Sequence, residues 1–168
     1  LRPVGHLAGE AGPPRLADRN FQLDFTDNSG QILADFERAC TAALEEIGLR
    51  AQGYAAANAP VGTTESTNIQ GYNGGDLRKS LTHKVVGYEV YIGTSLTTPD
   101  GEPYPVYVEY GTGIHADNGK GRQSPWVWRD KNGVYHWTRG IKPQHFLLKA
   151  VTEHDDVYLN VIKNAFHF

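Results

Sequence analysis

The sequence of 168 residues has the length of about one domain, which argues against a two-domain enzyme with a cleft between its lobes. Sixteen Lys and Arg against nineteen Asp and Glu give a net charge of −3, so the total charge points to neither nucleic acid nor anionic lipid as a partner. The single cysteine, Cys40, excludes an internal disulfide, and no apolar run approaches the ~20 residues that a membrane-spanning helix needs.

The chain begins with a segment rich in glycine and proline. We interpret residues 1–28 as an extended arm that precedes a single domain at 29–168. Phe21, Leu23 and Phe25 alternate with polar residues near the end of this arm. Such alternation is typical of a short strand, and equally of an extended segment that docks its aromatic rings on a neighbour.

An amphipathic helix is predicted after the arm. Asn28, with Gln31 three places later, fits a capping box, and apolar residues then recur at spacings of three and four as far as Tyr54. Pro60 ends the pattern because the residue before a proline avoids helical backbone angles. The sequence therefore predicts a helix of about 27 residues.

A short turn and a hairpin are predicted in the middle of the chain. Asp76 is placed to cap the turn. Thr82–Val86 and Tyr88–Thr94 are rich in β-forming residues, and Gly87 between them favours a tight connection. Periodicity leaves Pro103–Tyr110 open, because its apolar residues fit helical and alternating spacing equally well.

A second hairpin and a final helix are predicted in the last third of the chain. Trp126–Trp128 and Val134–Trp137 flank Asn132-Gly133, the pair that most favours a two-residue hairpin turn. Pro143 then opens a helix whose apolar residues form one stripe as far as Phe166. A long N-terminal helix and a C-terminal helix packed on a small antiparallel sheet, with a Trp-rich loop or hairpin, define an α+β fold.

Catalytic motifs are absent from the sequence. It contains no glycine-rich phosphate loop, no cysteine pair and no His-Glu-x-x-His run. His115, Asp117, His136 and His145 could supply the ligands of one zinc ion, which would make the protein a metal-dependent hydrolase. We favour scattered loop histidines, because a loop metal site normally shows tight paired spacing. The sequence thus predicts no enzyme, no cofactor and no metal.

Charge is distributed unevenly along the chain. Residues 118–142 carry six Lys and Arg against one acid, whereas residues 1–77 carry five against ten. The basic segment is interleaved with aromatic residues, a composition typical of a single-stranded nucleic-acid surface and also of a protein interface. We favour an interface, since a basic loop beside an acidic remainder suits head-to-tail docking of copies. Its candidate residues are Arg122, Trp126, Trp128, Arg129, Trp137 and Arg139.

One acid, Glu109, lies in the aromatic segment 104–113. A general base would need a positioned partner for the proton, and the sequence names none. We therefore favour a structural acid, which accepts hydrogen bonds from the Gly111-Thr112-Gly113 turn or pairs with a basic side chain.

The same segment carries a resemblance. Tyr104-Pro-Val-Tyr-Val-Glu-Tyr-Gly-Thr-Gly113 resembles the Tyr-Ala-x-Tyr-Val-Glu-Phe-Gly-Thr core of the tail-completion or neck proteins of long-tailed bacteriophages, a family that includes the minor tail protein Z type. Further short pieces occur in the same order as in that family, and together they span about residues 30–165. They are Ala57–Pro60, Gly75–Ser80, Tyr91–Thr94 and Lys142–Leu147.

The resemblance implies a structural virion protein. By it, Pro103–Tyr110 is a short helix, and the protein forms a homo-oligomeric ring, expected to be a hexamer, between the DNA-filled head and the tail. The implied partners are further copies of the chain, head-closure or connector proteins, tail-terminator or tail-tube proteins, and double-stranded DNA in non-specific passage, with no membrane. The implied location is the neck or tail of the virion, after assembly in the bacterial cytoplasm.

Two groups of residues acquire expected roles in such a ring. Glu45 and Glu46 on the first helix suit a channel through which DNA slides without sticking, because phosphate contacts bind tightly whatever the base sequence. Glu109, Gly111 and Thr112 are expected to hold the central turn between subunit surfaces.

Overall fold

The computed structural model describes residues 26–63, 74–98, 101–130 and 133–166, so almost all of the predicted arm lies outside the described residues. Helices alternate here with two separate two-stranded antiparallel sheets, which confirms the predicted α+β class. The elements in chain order are α1 (Ser29–Asn58), α2 (Asp76–Ser80), β1 (Thr82–Val86), β2 (Glu89–Gly93), α3 (Tyr104–Tyr110), a 3-10 turn (Gly113–His115), β3 (Trp126–Arg129), β4 (Tyr135–Thr138), α4 (Phe146–Thr152) and α5 (Asp155–Phe166).

The first helix, α1, begins without the predicted capping box. Asn28 is in the N-cap position, but its side chain makes no capping hydrogen bond. Instead, Asp27 Oδ1 accepts a hydrogen bond from the backbone N–H of Ser29 at 2.9 Å, and the Gln31 side-chain amide donates to Asp35. The predicted capping box is wrong, because Gln31 donates to Asp35, and Asp27, one residue before Asn28, accepts a hydrogen bond from the start of the helix.

The predicted end of α1 is confirmed. Ala59, the residue before Pro60, has extended backbone angles and closes the helix with a hydrogen bond from its N–H to the carbonyl of Ala55 at 2.9 Å. The helix is 30 residues long, and both strands of the first hairpin and three other helices pack against it.

The first hairpin, β1–β2, packs on α1 at a glycine. His83 and Ile92 are paired across the two strands and share the face turned to the helix. A Cβ at Gly48 would lie 2.4 Å from Cδ2 of His83, so only glycine permits this approach. The His83 ring also bridges two turns of α1, with Nδ1 2.6 Å from Gln52 Oε1 and Nε2 3.2 Å from Glu45 Oε2.

Helix α2 is short, and its start differs from the prediction. Gly75, with a φ of 114°, takes the N-cap position, and Asp76 is the first helical residue rather than the cap. Two side chains then tie α2 to the rest of the fold: Arg78 donates to the carbonyl of Ala59 at 2.9 Å, and the Ser80 and Thr94 hydroxyls lie 2.7 Å apart.

The predicted C-terminal helix begins at Phe146 rather than Pro143, and it is divided into two helices. The first, α4, ends at Thr152 with Glu153 as its C-cap, and α5 begins at Asp155. Between them His154 stacks on Tyr54 of α1, with 3.4 Å between the ring centroids. At the other end of α5, Phe166 contacts Phe36 at 5.3 Å between centroids. The break therefore lets α5 run antiparallel along α1.

The hydrophobic core is small and rich in alanine. Phe146 is the largest side chain that is fully buried among the described residues. Ten apolar residues are buried there, and five of them are alanine, whereas twenty-three large apolar residues are exposed. The buried set is Ala43, Ala51, Ala55, Ala59, Leu77, Leu81, Val108, Phe146, Ala150 and Val161. None of the described helices is long and apolar enough to cross a membrane.

Candidate assembly surface

Glu109 is a structural acid, although its partners are not the predicted ones. The residue is 3% exposed, and its carboxylate accepts backbone hydrogen bonds from Leu147 at 2.9 Å and from Leu148 at 3.0 Å. These N–H groups belong to the first turn of α4, where no partner exists within a helix. Glu109 therefore caps α4, and no hydrogen bond from the Gly111–Gly113 turn to its carboxylate is found.

The chain just after Glu109 interlocks with the chain just after β4. Thr112 donates its N–H to Ile141 O at 2.9 Å and accepts the Ile141 N–H on Oγ1 at 3.1 Å, while Ile114 donates to Arg139 O at 3.1 Å. A Cβ at Gly113 would lie 2.0 Å from the Arg139 carbonyl oxygen. Gly111 meets the same segment, since its own Cβ would lie 2.9 Å from Ile141 O. These glycines let two backbones approach closely enough to anchor the second hairpin.

The inner face of the second hairpin, β3–β4, holds two of the three tryptophans. Trp126 pairs with Thr138 and Trp128 with His136, so their side chains share one face. The Trp128 and His136 rings stack at 4.7 Å between centroids, and His136 Nε2 lies 2.9 Å from Asp130 Oδ2. Trp126 and Trp128 thus share the inner face, although Trp128 is still 41% exposed.

This inner face lines a groove of about 490 Å³. Tyr104 and Tyr107 of α3 form the opposite wall, and Arg122 lies 5.7 Å from the centroid of Trp126. A hydrogen bond from the Tyr107 hydroxyl to Glu102 raises the pKa of that tyrosine above its ordinary value.

The outer face of the second hairpin is exposed, aromatic and basic. Tyr135 is 71% exposed and Trp137 is 65% exposed, and Val127 beside them is exposed as well. Arg129 lies over the Tyr135 ring at 5.8 Å and Arg139 over the Trp137 ring at 5.9 Å, both measured to the centroid. We call this set, Val127, Arg129, Tyr135, Trp137 and Arg139, the outer hairpin face.

The structure separates the predicted interface residues into two groups. Trp137, Arg129 and Arg139 lie on the outer hairpin face, where a partner can reach them. Trp126 and Trp128 belong to the inner face, beside Arg122. Sequence alone could not make this division, because it depends on the register of the hairpin.

The two predicted channel acids are exposed on α1, and both have partners. The Glu45 side chain is 55% exposed and lies against His83. The Glu46 side chain is 49% exposed and pairs with Arg50 at 2.6 Å, and this pairing raises the pKa of Arg50.

The predicted metal-ligand candidates, His115, Asp117, His136 and His145, do not converge on one point. His136 contacts Asp130, whereas His145 Nε2 lies 3.3 Å from Asp117 Oδ2. Among the described residues, no three His, Cys, Asp or Glu side chains are grouped so that they could hold a metal ion. The zinc-hydrolase alternative therefore finds no ligand set in the part of the chain that is described.

Sequence reasoning missed a second exposed surface, on the N-terminal half of α1. Ile32 and Phe36 continue the apolar stripe of the helix, which predicts burial, yet they are 66% and 50% exposed. The exposure follows from the lengths of the helices. Helix α1 has 30 residues, and α5, which packs along it, has 12. A helix of ~45 Å cannot be covered along its whole length by one of ~18 Å.

Comparison with known proteins does not identify a family for this chain. No family model, no curated protein and no solved structure matches it. The resemblance to phage neck proteins stays a prediction, and conclusions about function depend on the geometry described above.

Proposed function

We propose that this protein is a structural component of a tailed-phage virion, which assembles as a ring of about six copies at the junction of head and tail. It performs no catalysis in this role. It extends the channel for double-stranded DNA and joins head-closure or connector proteins on one side to tail-terminator or tail-tube proteins on the other.

The observation that carries the proposal is that the short segments of the resemblance are bonded to one another. Arg78 of the Gly75–Ser80 segment donates to the carbonyl of Ala59, and Ser80 pairs with Thr94. Glu109 of the central segment caps the helix that the Lys142–Leu147 segment opens. The five segments thus form two bonded groups that connect elements of the fold, which supports a shared structural role for them.

A second observation supports assembly in particular. Exposed large apolar residues outnumber buried apolar ones by twenty-three to ten among the described residues. Some of these residues adjoin one another, as Val127 and Trp137 do across the second hairpin, and contiguous exposed apolar surface is typical of interaction sites. Repeated contacts between copies would remove this surface from water, which stabilises a domain whose own core is small.

The acidic residues of α1 support a role beside DNA. Glu45 and Glu46 are exposed in the single subunit, and a ring that turns this side of α1 inward would present carboxylates to the phosphates. Repulsion between like charges keeps the passage from binding its cargo.

The test is the mass of the purified chain in solution, measured by light scattering over a range of concentrations, followed by imaging of the largest species. We expect a species of about six chain masses that appears as a ring with a central hole. A chain that stays monomeric at millimolar concentration contradicts the proposal.

Single-stranded nucleic-acid binding is a second candidate, favoured by the outer hairpin face. Its two arginines lie over aromatic rings, and stacking rings beside cations bind bases and phosphates. Binding of a labelled oligonucleotide that falls steeply between 50 and 200 mM salt, by at least about tenfold, would favour this candidate.

A further inference from the structure

The N-terminal half of α1 presents an apolar stripe that the described residues cover only in part, through the contact of Phe166 with Phe36. Ile32, Leu33 and Phe36 are 66%, 58% and 50% exposed. They lie on one side of the helix, because Phe36 is four residues after Ile32 and three after Leu33, and positions three and four apart are neighbours on a helix. The stripe continues the face that is buried further along, at Ala43 and Ala51. It is therefore the extension of a packing surface.

Carboxylates border this stripe on both sides. Asp35 and Glu37 each adjoin Phe36 in sequence, and at 100° per residue they lie on opposite edges of the apolar stripe. Hydrogen bonds from Gln31 and Arg38 of the same helix lower the pKa of Asp35. We call Ile32, Leu33, Asp35, Phe36 and Glu37 the α1 stripe.

The outer hairpin face has the matching arrangement with the opposite charge. Val127 and Trp137 are paired at its centre, with Arg129 beside Tyr135 on one side and Arg139 on the other. Arg129 and Arg139 are separated by four strand positions, or ~13 Å. The two carboxylates of the α1 stripe are separated by the width of a helix, ~10–12 Å. A hairpin laid across the helix would thus place an arginine at each carboxylate and the aromatic rings on the apolar residues.

We infer that the outer hairpin face of one copy binds the α1 stripe of the next copy. Both surfaces are exposed on the same subunit, so they do not satisfy each other within it. The contact joins two different surfaces, and such head-to-tail contacts produce rings or filaments. This inference rests on the proposed ring and names the faces that build it.

Disulfide trapping between differently tagged chains tests the contact. One chain carries Leu33→Cys and the other Val127→Cys, both with Cys40→Ser to remove the native thiol. We expect mild oxidation to join the two chains efficiently, and a chain that carries both cysteines to give a ladder of crosslinked species. The matched control replaces Val127→Cys with Tyr91→Cys, which places the thiol on an exposed tyrosine position of the first hairpin. The control should give at least tenfold less crosslink.

Charge reversal gives a second measurement that does not need a thiol. Arg139→Glu should weaken self-association at least tenfold, and Glu37→Arg should do the same. Together in one chain they should restore most of the loss, because the pair of opposite charges is re-formed with its sign exchanged. Unchanged thermal unfolding of each variant shows that the subunit still folds.

The outcomes separate this contact from the ring itself. Rings that form without the crosslink, and that are insensitive to both charge reversals, overturn the contact while the proposed function stands. A chain that remains monomeric overturns both. A monomer whose oligonucleotide binding is lost with Arg139→Glu also overturns the contact and assigns the outer hairpin face to nucleic acid.

Discussion

The two hairpins are built alike and are used differently. Both are two-stranded and antiparallel, and both turn through a glycine with positive φ, at Gly87 and at Gly133. The first hairpin lies on α1 and inserts His83 at a helical glycine. The second is held at its base by backbone bonds and exposes aromatic rings and arginines on its outer face. The first hairpin is thus seated on a helix, whereas the second leaves its outer face open.

The largest effect is expected at the base of the second hairpin. Gly113 has a φ of 60°, and a Cβ there would meet the Arg139 carbonyl oxygen at 2.0 Å. Gly113→Ala should lower the free energy of unfolding by about 3 kcal/mol, since a left-handed backbone and overpacking both add cost. Gly119→Ala is the matched control, because Gly119 has a φ of 65° and open space around it. Chemical denaturation measures the free energy of unfolding of both variants. An equal decrease in the two would show that the close approach at Gly113 is unimportant.

The next effect concerns the cap that joins α3 to α4. Glu109→Gln keeps one acceptor for the two α4 N–H groups and removes the charge, so the free energy of unfolding should fall by about 2 kcal/mol. Glu153→Gln alters an exposed acid at the end of the same helix and should leave stability unchanged. Identical urea midpoints for Glu109→Gln and the unmodified protein would contradict the capping role.

Substitutions at two glycines of α1 are expected to have smaller effects on the free energy of unfolding, and of opposite sign. One glycine contacts the first hairpin and the other does not. Gly48→Ala should destabilise by about 1 kcal/mol, because the new methyl group displaces His83. Gly53→Ala, on the same helix with nothing within 4 Å, should stabilise by about 0.5 kcal/mol through helix propensity. Thermal melts of both variants measure the difference, and two shifts of the same sign would argue against the close approach at Gly48.

The smallest effect on stability is expected on the outer hairpin face. Trp137→Ala should change the free energy of unfolding by no more than about 0.5 kcal/mol, because the ring is 65% exposed. Its effect on assembly should be large, about 2 kcal/mol, as for a central aromatic residue of an interface. Tyr91→Ala on the first hairpin removes a ring that is 54% exposed and should leave assembly intact. Sedimentation profiles that respond equally to both variants would remove the distinction between the hairpins.

Much of the fold is readable from the sequence, because local signals agree with the tertiary structure there. Pro60 ends α1, and Gly87 connects the strands of the first hairpin, as predicted. Periodicity alone left Pro103–Tyr110 undecided, and the resemblance favoured the short helix that is observed.

The division of the C-terminal helix was unreadable for a geometric reason. Val151 and Tyr158 are seven residues apart, which is close to two helical turns, so the apolar stripe keeps its phase across the break. No glycine or proline marks the interruption. Only Asp155 and Asp156 in the first turn of α5 signal a new start, since acids are favoured at helix N-termini.

The sequence predicted which residues form the candidate site, but not how they are arranged in space. Glu109 is structural, as expected, but its partners are 38 and 39 residues further along the chain, a separation that no local rule reaches. Predicting the outer hairpin face would have required the pairing register of the two strands. Predicting the α1 stripe would have required the lengths of the helices that cover α1.

The narrow base of the second hairpin has a mechanical consequence. Tension applied to its tip by a bound neighbour would reach the rest of the domain through the few backbone bonds between Thr112, Ile114, Arg139 and Ile141. Because Glu109 lies three residues before Thr112 and holds α4, the same load would pass directly into the alanine-rich interior. We expect forced extension to rupture this junction first, while α1 and the first hairpin remain intact.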